Sequence, residues 1–443
     1  MSFPRTFGIF VIVVYMAILL FPGYYVSGQS SSSLQSMIDS AKPEETIVVP
    51  TGSYEGPLVI NKALTIQAVG EVNLVNNSKE PAIWITADDV HMKGFTIVDI
   101  TEKESASILI DADHVEIDHL NIRTASYGIR LNGASFNEIR NSEIVWESAV
   151  KREAKLSDKR NGIDLYESHD NRLIGNTISD LHDGIYLERS DRNVVEENQV
   201  FRSRYGVHCM YTNGTIIRNN VGSFNITGAM VMAVRDVEVV GNSFYKQNES
   251  VNSQGILLFD AHSSLFSDNI VEGNRVGFYI ELSSDNTLLR NQVKQNFIGI
   301  QFIEASKNRL SEHLFSGNVI EAEARSSADN NVDGNFWDSF RGIDLNGDGR
   351  SEITNAINPY FQTVVKARPA FQLFFQSPGM IFLQELFQSE RHQWMTDNSP
   401  LMEPPADIQD KLSSQAKTGT GIMGALLLIV SMTTIFYLGV RRS

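Results

Sequence analysis

One cysteine, Cys209, stands in a chain of 443 residues, so no disulfide can form within it whatever compartment it occupies. Basic residues are also short: 37 Lys and Arg face 53 Asp and Glu, a formal net charge of −16 that argues against any role on a phosphate backbone and so against a nucleic-acid partner. The two longest uncharged runs lie at the two ends. Arg5, the apolar stretch from Phe7 to Phe21 and the small residues Val26-Ser27-Gly28 read residues 1–28 as an export signal, an uncleaved anchor being the other reading. Near the other end, Gly421 to Val440 carries no charge and is followed by Arg441-Arg442. That length suits a single transmembrane helix over 420–440, with 441–443 as a cytoplasmic tail. The body is thereby expected in the periplasm or on the extracytoplasmic face, anchored in the cytoplasmic membrane, with residues 393–419, rich in Pro, Ser and Asp, as the linker.

What the chain has in abundance is a repeat. Glycine recurs at Gly128, Gly162, Gly184, Gly206, Gly228, Gly255, Gly277 and Gly299, with spacings of 34, 22, 22, 22, 27, 22 and 22. The two long spacings hold insertions around Val150 to Arg160 and Lys246 to Gln254. An asparagine column keeps step, read as Asn141, Asn176, Asn198, Asn220, Asn242, Asn269 and Asn291, with His119 and His313 as turn caps one rung outside it. Three residues ahead runs an apolar column from Leu173 to Leu310. Short strands between Asn- and Gly-bearing turns at a 22-residue period predict an all-β fold, a right-handed parallel β-helix over 33–320. Asparagine tolerates left-handed turns, and stacked Asn side chains can hydrogen-bond from rung to rung. Less regular early rungs include Leu58-Val59-Ile60, Ile83-Trp84-Ile85 and Ile108-Leu109-Ile110. Leu34, Met37 and Ile38 at helical spacing predict a cap over the open first rung.

Alternation within each glycine-started strand sorts its residues. The first and third positions after glycine are always apolar, including Val207 and Cys209, and line the core. The second and fourth are expected to point outward, which puts His208, Met210, Met230 and Met232 in a two-by-two block on the flank. A neutral imidazole with thioethers is a soft ligand set suited to Cu(I) rather than to Zn²⁺, Ca²⁺ or Mg²⁺. An apolar patch for a protein partner uses the same residues equally well. A third reading takes Asp164, Tyr186, Glu188 and His208 as an acid–base set for a polysaccharide lyase or epimerase, although these columns supply only Arg130 to hold a uronate.

Residues 321–392 follow the repeat. Asp344, Asn346, Asp348 and Glu352, with Gly349 at the sixth position, match the start of a Ca²⁺ loop that lacks its final bidentate Glu, since Asn355 stands there. Phe361 to Phe387 is dense in Phe, Leu, Ile and Met and is split by Ser377-Pro378-Gly379; it reads as a helical segment that caps the solenoid or docks on a membrane-embedded partner.

Four stretches then carry a resemblance in order: Val48 to Ile60, Arg204-Tyr205-Gly206-Val207-His208-Cys209-Met210-Tyr211, Gly334-Asn335-Phe336-Trp337 with the Asp344–Gly349 loop, and Arg368-Pro369-Ala370 with Ser377-Pro378-Gly379-Met380. They resemble the nitrous oxide reductase maturation family NosD, whose β-helix is of the carbohydrate-binding and sugar-hydrolysis type. The resemblance implies an exported, non-enzymatic protein that works with an ABC-type ATPase and permease. It would receive Cu(I) from a copper chaperone and help assemble the copper sites of nitrous oxide reductase. His208, Met210 and Met232 fall on that family's His/Met positions, whereas Met230 rests on the column argument alone. The family's usual Met-Tyr-Ser is Met232-Ala233-Val234 here, and Cys209 replaces an aromatic.

Overall fold

The computed structural model describes residues 33–150, 154–248, 250–374, 377–387, 394–406 and 426–433. A twelve-stranded parallel sheet runs from Leu58–Ile60 to Ile320–Arg325, and every glycine-started strand lies in it. Two further parallel stacks complete each turn; both start from the long strands Glu45–Glu55 and Leu64–Val75, the latter pairing with His91–Lys93 of one stack and Thr96–Asp99 of the other. The last rung is Phe336–Trp337, beyond the expected limit at residue 320.

The alternation rule holds for the core. Ile129, Ile163, Ile185, Val207, Ala229, Ile256, Phe278 and Ile300 are buried, as are Leu131 through Phe302 at the third position, with Cys209 among them. Burial pushes the Cys209 thiol up to about 12, so the lone cysteine is inert packing. The glycine column has a steric cause: a Cβ at Gly206 would lie 2.4 Å from the carbonyl oxygen of Gly228 on the next rung, and Gly128 to Gly299 repeat this clash.

The asparagine column proves one residue different at its start. Ser142 pairs with the Asn176 rung, and its backbone N–H donates to Asn176 Oδ1 (3.0 Å), so Asn141 and His119 belong to the preceding column. That preceding column takes the positive φ (His119 53°, Asn141 51°, Asn219 56°), while the ladder asparagines do not. The ladder amides bond upward instead: Asn176 to Asn198 (3.0 Å), Asn198 to Asn220 (3.0 Å), Asn220 to Asn242 (2.9 Å) and Asn242 to Asn269 (3.0 Å), all buried. Each Oδ1 also accepts a backbone N–H from the rung before, as Asn220 Oδ1 does from Asn198 N–H (2.9 Å). His313 does occupy this column; its Nδ1 accepts from the Asn291 N–H at 2.9 Å, and burial pushes the imidazole down to about 3. A second ladder through Asn286, Asn308 and Asn330 and a third through Asn225, Gln247, Asn274, Asn296 and Asn318 were not visible in the single column read from the sequence.

Both ends are closed. Helix Leu34–Ser40 buries Leu34 and Ile38 over the first rung, and the Gln35 amide pairs with the exposed edge at Val59 (3.1 and 2.8 Å). At the far end Trp337 stacks on Phe315 at 4.1 Å. Asp397, fully buried, accepts from Gly334 N, Asn335 N and Trp337 Nε1, each at 2.9 Å. Residues 394–401, expected as the start of the linker, are therefore part of the folded end, because the last rung's amides need an acceptor.

The apolar C-terminal segment forms helices Tyr360–Ala367 and Pro378–Leu386 around a 3₁₀ turn, Pro369–Phe374, with Ser377 as N-cap of the last helix. Phe361, Val365 and Met380 pack on Ile320, while Leu373, Phe374, Phe382 and Leu386 stay exposed. The expected signal, residues 1–28, lies outside the described residues. So does the expected span over 420–440, apart from helical residues within 426–433; among the described residues no helix is long and apolar enough to cross a membrane.

Two stability predictions follow from the ladder. Asn220→Ala strands the Asn198 amides and should cost about 1–3 kcal/mol per unpaired group, read as a lowered thermal midpoint with unchanged far-UV circular dichroism at 25 °C. For His313, the folded state rejects a proton that the unfolded chain binds below its ordinary pKa of about 6.5. Stability should therefore fall as pH drops from about 6.5 toward 3, by up to about 1.4 kcal/mol per pH unit. His313→Asn should lack that fall, so the difference in unfolding free energy between the two proteins, read by chemical denaturation, should carry that slope over the same pH range.

Candidate metal-binding face and the cavity beside it

Strands Tyr205–Met210 and Thr227–Arg235 pair in parallel with His208 opposite Met230 and Met210 opposite Met232. The four side chains named from the sequence therefore share one sheet face, two on each of two adjacent rungs. Tyr186 and Glu188 lie one rung before them, Leu257 and Phe259 one rung after. The three methionines are half-buried on the outer face.

His208 departs from expectation. It was placed on the open flank, but only 6% of it is accessible. Two aromatic rings cover it, Tyr186 at 4.8 Å and Tyr205 edge-on at 4.9 Å between centroids. Its Nδ1 sits 3.0 Å from Asp183 Oδ2, and its Nε2 is buried with no hydrogen-bond partner. Asp164, also expected outside, is 5% accessible, held by the Asn161 amide (2.6 Å) and near Arg130 (3.6 Å). Outward-pointing side chains are buried here because residues 154–160 of the insertion and the Tyr186 and Tyr205 rings lie beside this part of the sheet.

Asp183 and Arg204 were missed by a reading confined to positions after each glycine. Arg204 grips Asp183 with two parallel bonds, Nε to Oδ1 at 2.8 Å and Nη2 to Oδ2 at 2.6 Å, and lies 4.3 Å over the Tyr205 ring. Burial pushes the Asp183 carboxyl up, but Arg204 and His208 outweigh it and hold it below its usual range. Asp183 directly precedes Gly184 and pairs with Tyr205, so the signal was the column just before the glycines.

Beside His208 opens a cavity of about 250 Å³ whose wall includes Lys159, Arg160, Arg204, Tyr127, Tyr186 and His208. Lys159 and Arg160 come from the insertion, and Leu156 of the same insertion accepts a hydrogen bond from His182 Nδ1 (2.7 Å). Three basic residues thus gather where the sequence columns offered only Arg130. Tyr186 donates to Glu188 Oε2 (2.9 Å), and burial with that carboxylate pushes the phenol well above its ordinary value, away from proton transfer near neutral pH.

The candidate Ca²⁺ loop closes on its own backbone. Asp344 accepts from Gly347 and Gly349 (2.6 and 2.9 Å), Asn346 from Asp348 (2.9 Å), Asp348 from Arg350 (2.8 Å) and Glu352 from Leu345 (2.9 Å). The Gly349 and Gly347 amides also lower the Asp344 pKa. Among the described residues no group of three or more His, Cys, Asp or Glu is arranged to hold a metal ion. A metal on the His208 face thus relies on one imidazole and thioethers.

Residues 146–347 match the family described as "Periplasmic copper-binding protein (NosD)". Two relatives, each named "Probable ABC transporter binding protein NosD", are 26% identical to this chain: one from Stutzerimonas stutzeri over 81% of this chain and 87% of the relative, one from Pseudomonas aeruginosa over 80% and 87%. Among solved structures, the mannuronan C-5 epimerase AlgE6 A-module of Azotobacter vinelandii superimposes with a TM-score of 0.51 at 13% identity, covering 68% of this chain and 93% of that one. At that identity the likeness is one of fold.

Proposed function

From the premise that the chain belongs to the NosD family, we propose that it is an exported, membrane-tethered accessory protein that binds and relays Cu(I) without catalysis of its own. In this reading it takes Cu(I) from a copper chaperone, acts with an ABC-type permease and ATPase, and serves assembly of the copper sites of nitrous oxide reductase. The tether is the apolar stretch over 420–440, and the exposed faces of the C-terminal helices meet the permease.

One observation carries the copper part: the register that sets His208 over Met230 and Met210 over Met232, with His208 Nε2 buried and unpartnered. A buried nitrogen without a partner costs about 1–3 kcal/mol, which a bound metal recovers. Thioethers bind no proton near neutral pH and favour Cu(I), and the Tyr186 and Tyr205 rings pack against the imidazole. The Met210→Ala/Met232→Ala double variant should lose about ten-fold or more in Cu(I) affinity against a chromophoric Cu(I) chelator under reducing conditions, about 1.4 kcal/mol. Equal affinity in both proteins would remove the face as the site. Unchanged reductase assembly with His208→Ala, with partner complexes intact, would favour a docking scaffold on which copper never rests.

The cavity supports a second reading, a polysaccharide lyase or epimerase, because Lys159 and Arg160 bring cationic groups beside Tyr186 and His208, although Arg160 is paired with Glu104 and Arg204 with Asp183. Against it stands the Tyr186–Glu188 bond, which keeps the phenol protonated. Turnover of a uronate polymer that is abolished by Tyr186→Phe is its required result. Ca²⁺ at Asp344, Asn346, Asp348 and Glu352 is a separate part of the proposal. It requires the ion to displace the loop's own amides, and it predicts that millimolar Ca²⁺ raises the thermal midpoint of wild type and leaves Asp344→Ala unmoved.

A further inference from the structure

Resting on the copper reading, we infer that Asp183, clamped by Arg204, is a positioning residue that fixes His208 with its proton on Nδ1 and so presents the Nε2 lone pair to Cu(I). An isolated neutral imidazole divides its proton between two nitrogens, and a metal can use only the bare one. Here Asp183 Oδ2 lies 3.0 Å from Nδ1, and Asp183 has no proton to give, since both its oxygens accept from Arg204. Nδ1 must therefore be the donor. Nε2, buried without a hydrogen-bond partner, is left as an acceptor with nothing to accept.

The clamp is rigid for reasons visible in the chain. Asp183 is 1% accessible in its side chain, and its strand pairs it with Tyr205. The Arg204 backbone N–H donates to His182 O (2.6 Å), and His182 in turn bonds the insertion through Leu156, so the backbone that carries the guanidinium is held in place. Tyr186 and Tyr205 hold the imidazole plane between them. Carboxylate–histidine–metal chains of this kind set the ligand's tautomer and raise its basicity, and losing the outer carboxylate costs about 10–100-fold in metal affinity. In this protein the arrangement also explains why a histidine, alone among four ligands, is the buried one: the thioethers need no orientation by hydrogen bonds, whereas the imidazole does.

The isosteric variant Asp183→Asn tests this. Its amide cannot satisfy both Arg204 and Nδ1–H as the carboxylate does, so the His208 proton should move toward Nε2. Cu(I) affinity, measured by chelator competition on the full chain, should fall about 10–100-fold. Nitrogen-15 shifts of His208 in the metal-free protein should change from the Nδ1–H pattern to the Nε2–H pattern, a readout that a merely structural role would not move. On a His208→Ala background, Asp183→Asn should cause no further loss of Cu(I) affinity, since positioning acts only through that ring. Losses that add in the double variant, or an Nε2–H pattern in wild type, overturn the inference. Cu(I) binding by Asp183→Asn equal to wild type overturns the positioning role alone. A wild-type protein that binds no Cu(I) overturns the copper reading beneath it.

Discussion

Side chains one rung apart meet only because the rungs are held in vertical register, and buried amides hold that register. Each ladder asparagine uses its oxygen for a backbone N–H and a side-chain amide of the rung before, and its nitrogen for a carbonyl of that rung as well. A slip of one residue would strand all of these groups in a dry interior, at about 1–3 kcal/mol each. The glycine column tightens the same constraint sterically, leaving no space for a Cβ between successive backbones. A pattern on the outer face is therefore as fixed as the core beneath it.

The insertions use that fixed scaffold. A regular rung offers its second and fourth positions to solvent, as Met210, Met230 and Met232 show. Ahead of the rung that holds Asp164, residues 154–160 depart from the repeat and lay Leu156, Lys159 and Arg160 beside the sheet. A flat flank becomes a recess whose wall holds a part-buried ion pair, Asp183–Arg204. Such a pair contributes little net stability once desolvation is counted, so its value lies in orienting what it touches. What it touches is the imidazole of His208.

How much of this was legible depended on whether the information was local. The 22-residue period, the apolar columns and the rung-on-rung pairing of His208 with Met230 followed from counting, because a solenoid turns sequence spacing directly into vertical distance. The N-terminal cap was readable at Leu34 and Ile38 for the same kind of reason, helical spacing. The start of the asparagine column was misplaced by one residue because Ser142 occupies the ladder position and Asn141 sits beside it in the left-handed turn; both residues suit a turn, and spacing across an insertion could not choose. Asp397 was read as linker because its neighbours are Pro, Ser and Asp, and nothing nearby in sequence announces the Trp337 and Asn335 amides that it serves.

By itself the sequence determined the coil, its period, which residues are core, and that one imidazole and three thioethers share a face, since each of these depends only on spacing and on the alternation of strands. Tertiary structure alone decided that the imidazole is covered, that Asp183 and Arg204 stand behind it, and that three basic side chains gather beside it. Those facts depend on where an irregular insertion lies and on contacts between side chains of different columns, and no periodic rule relates residues that the period itself does not align.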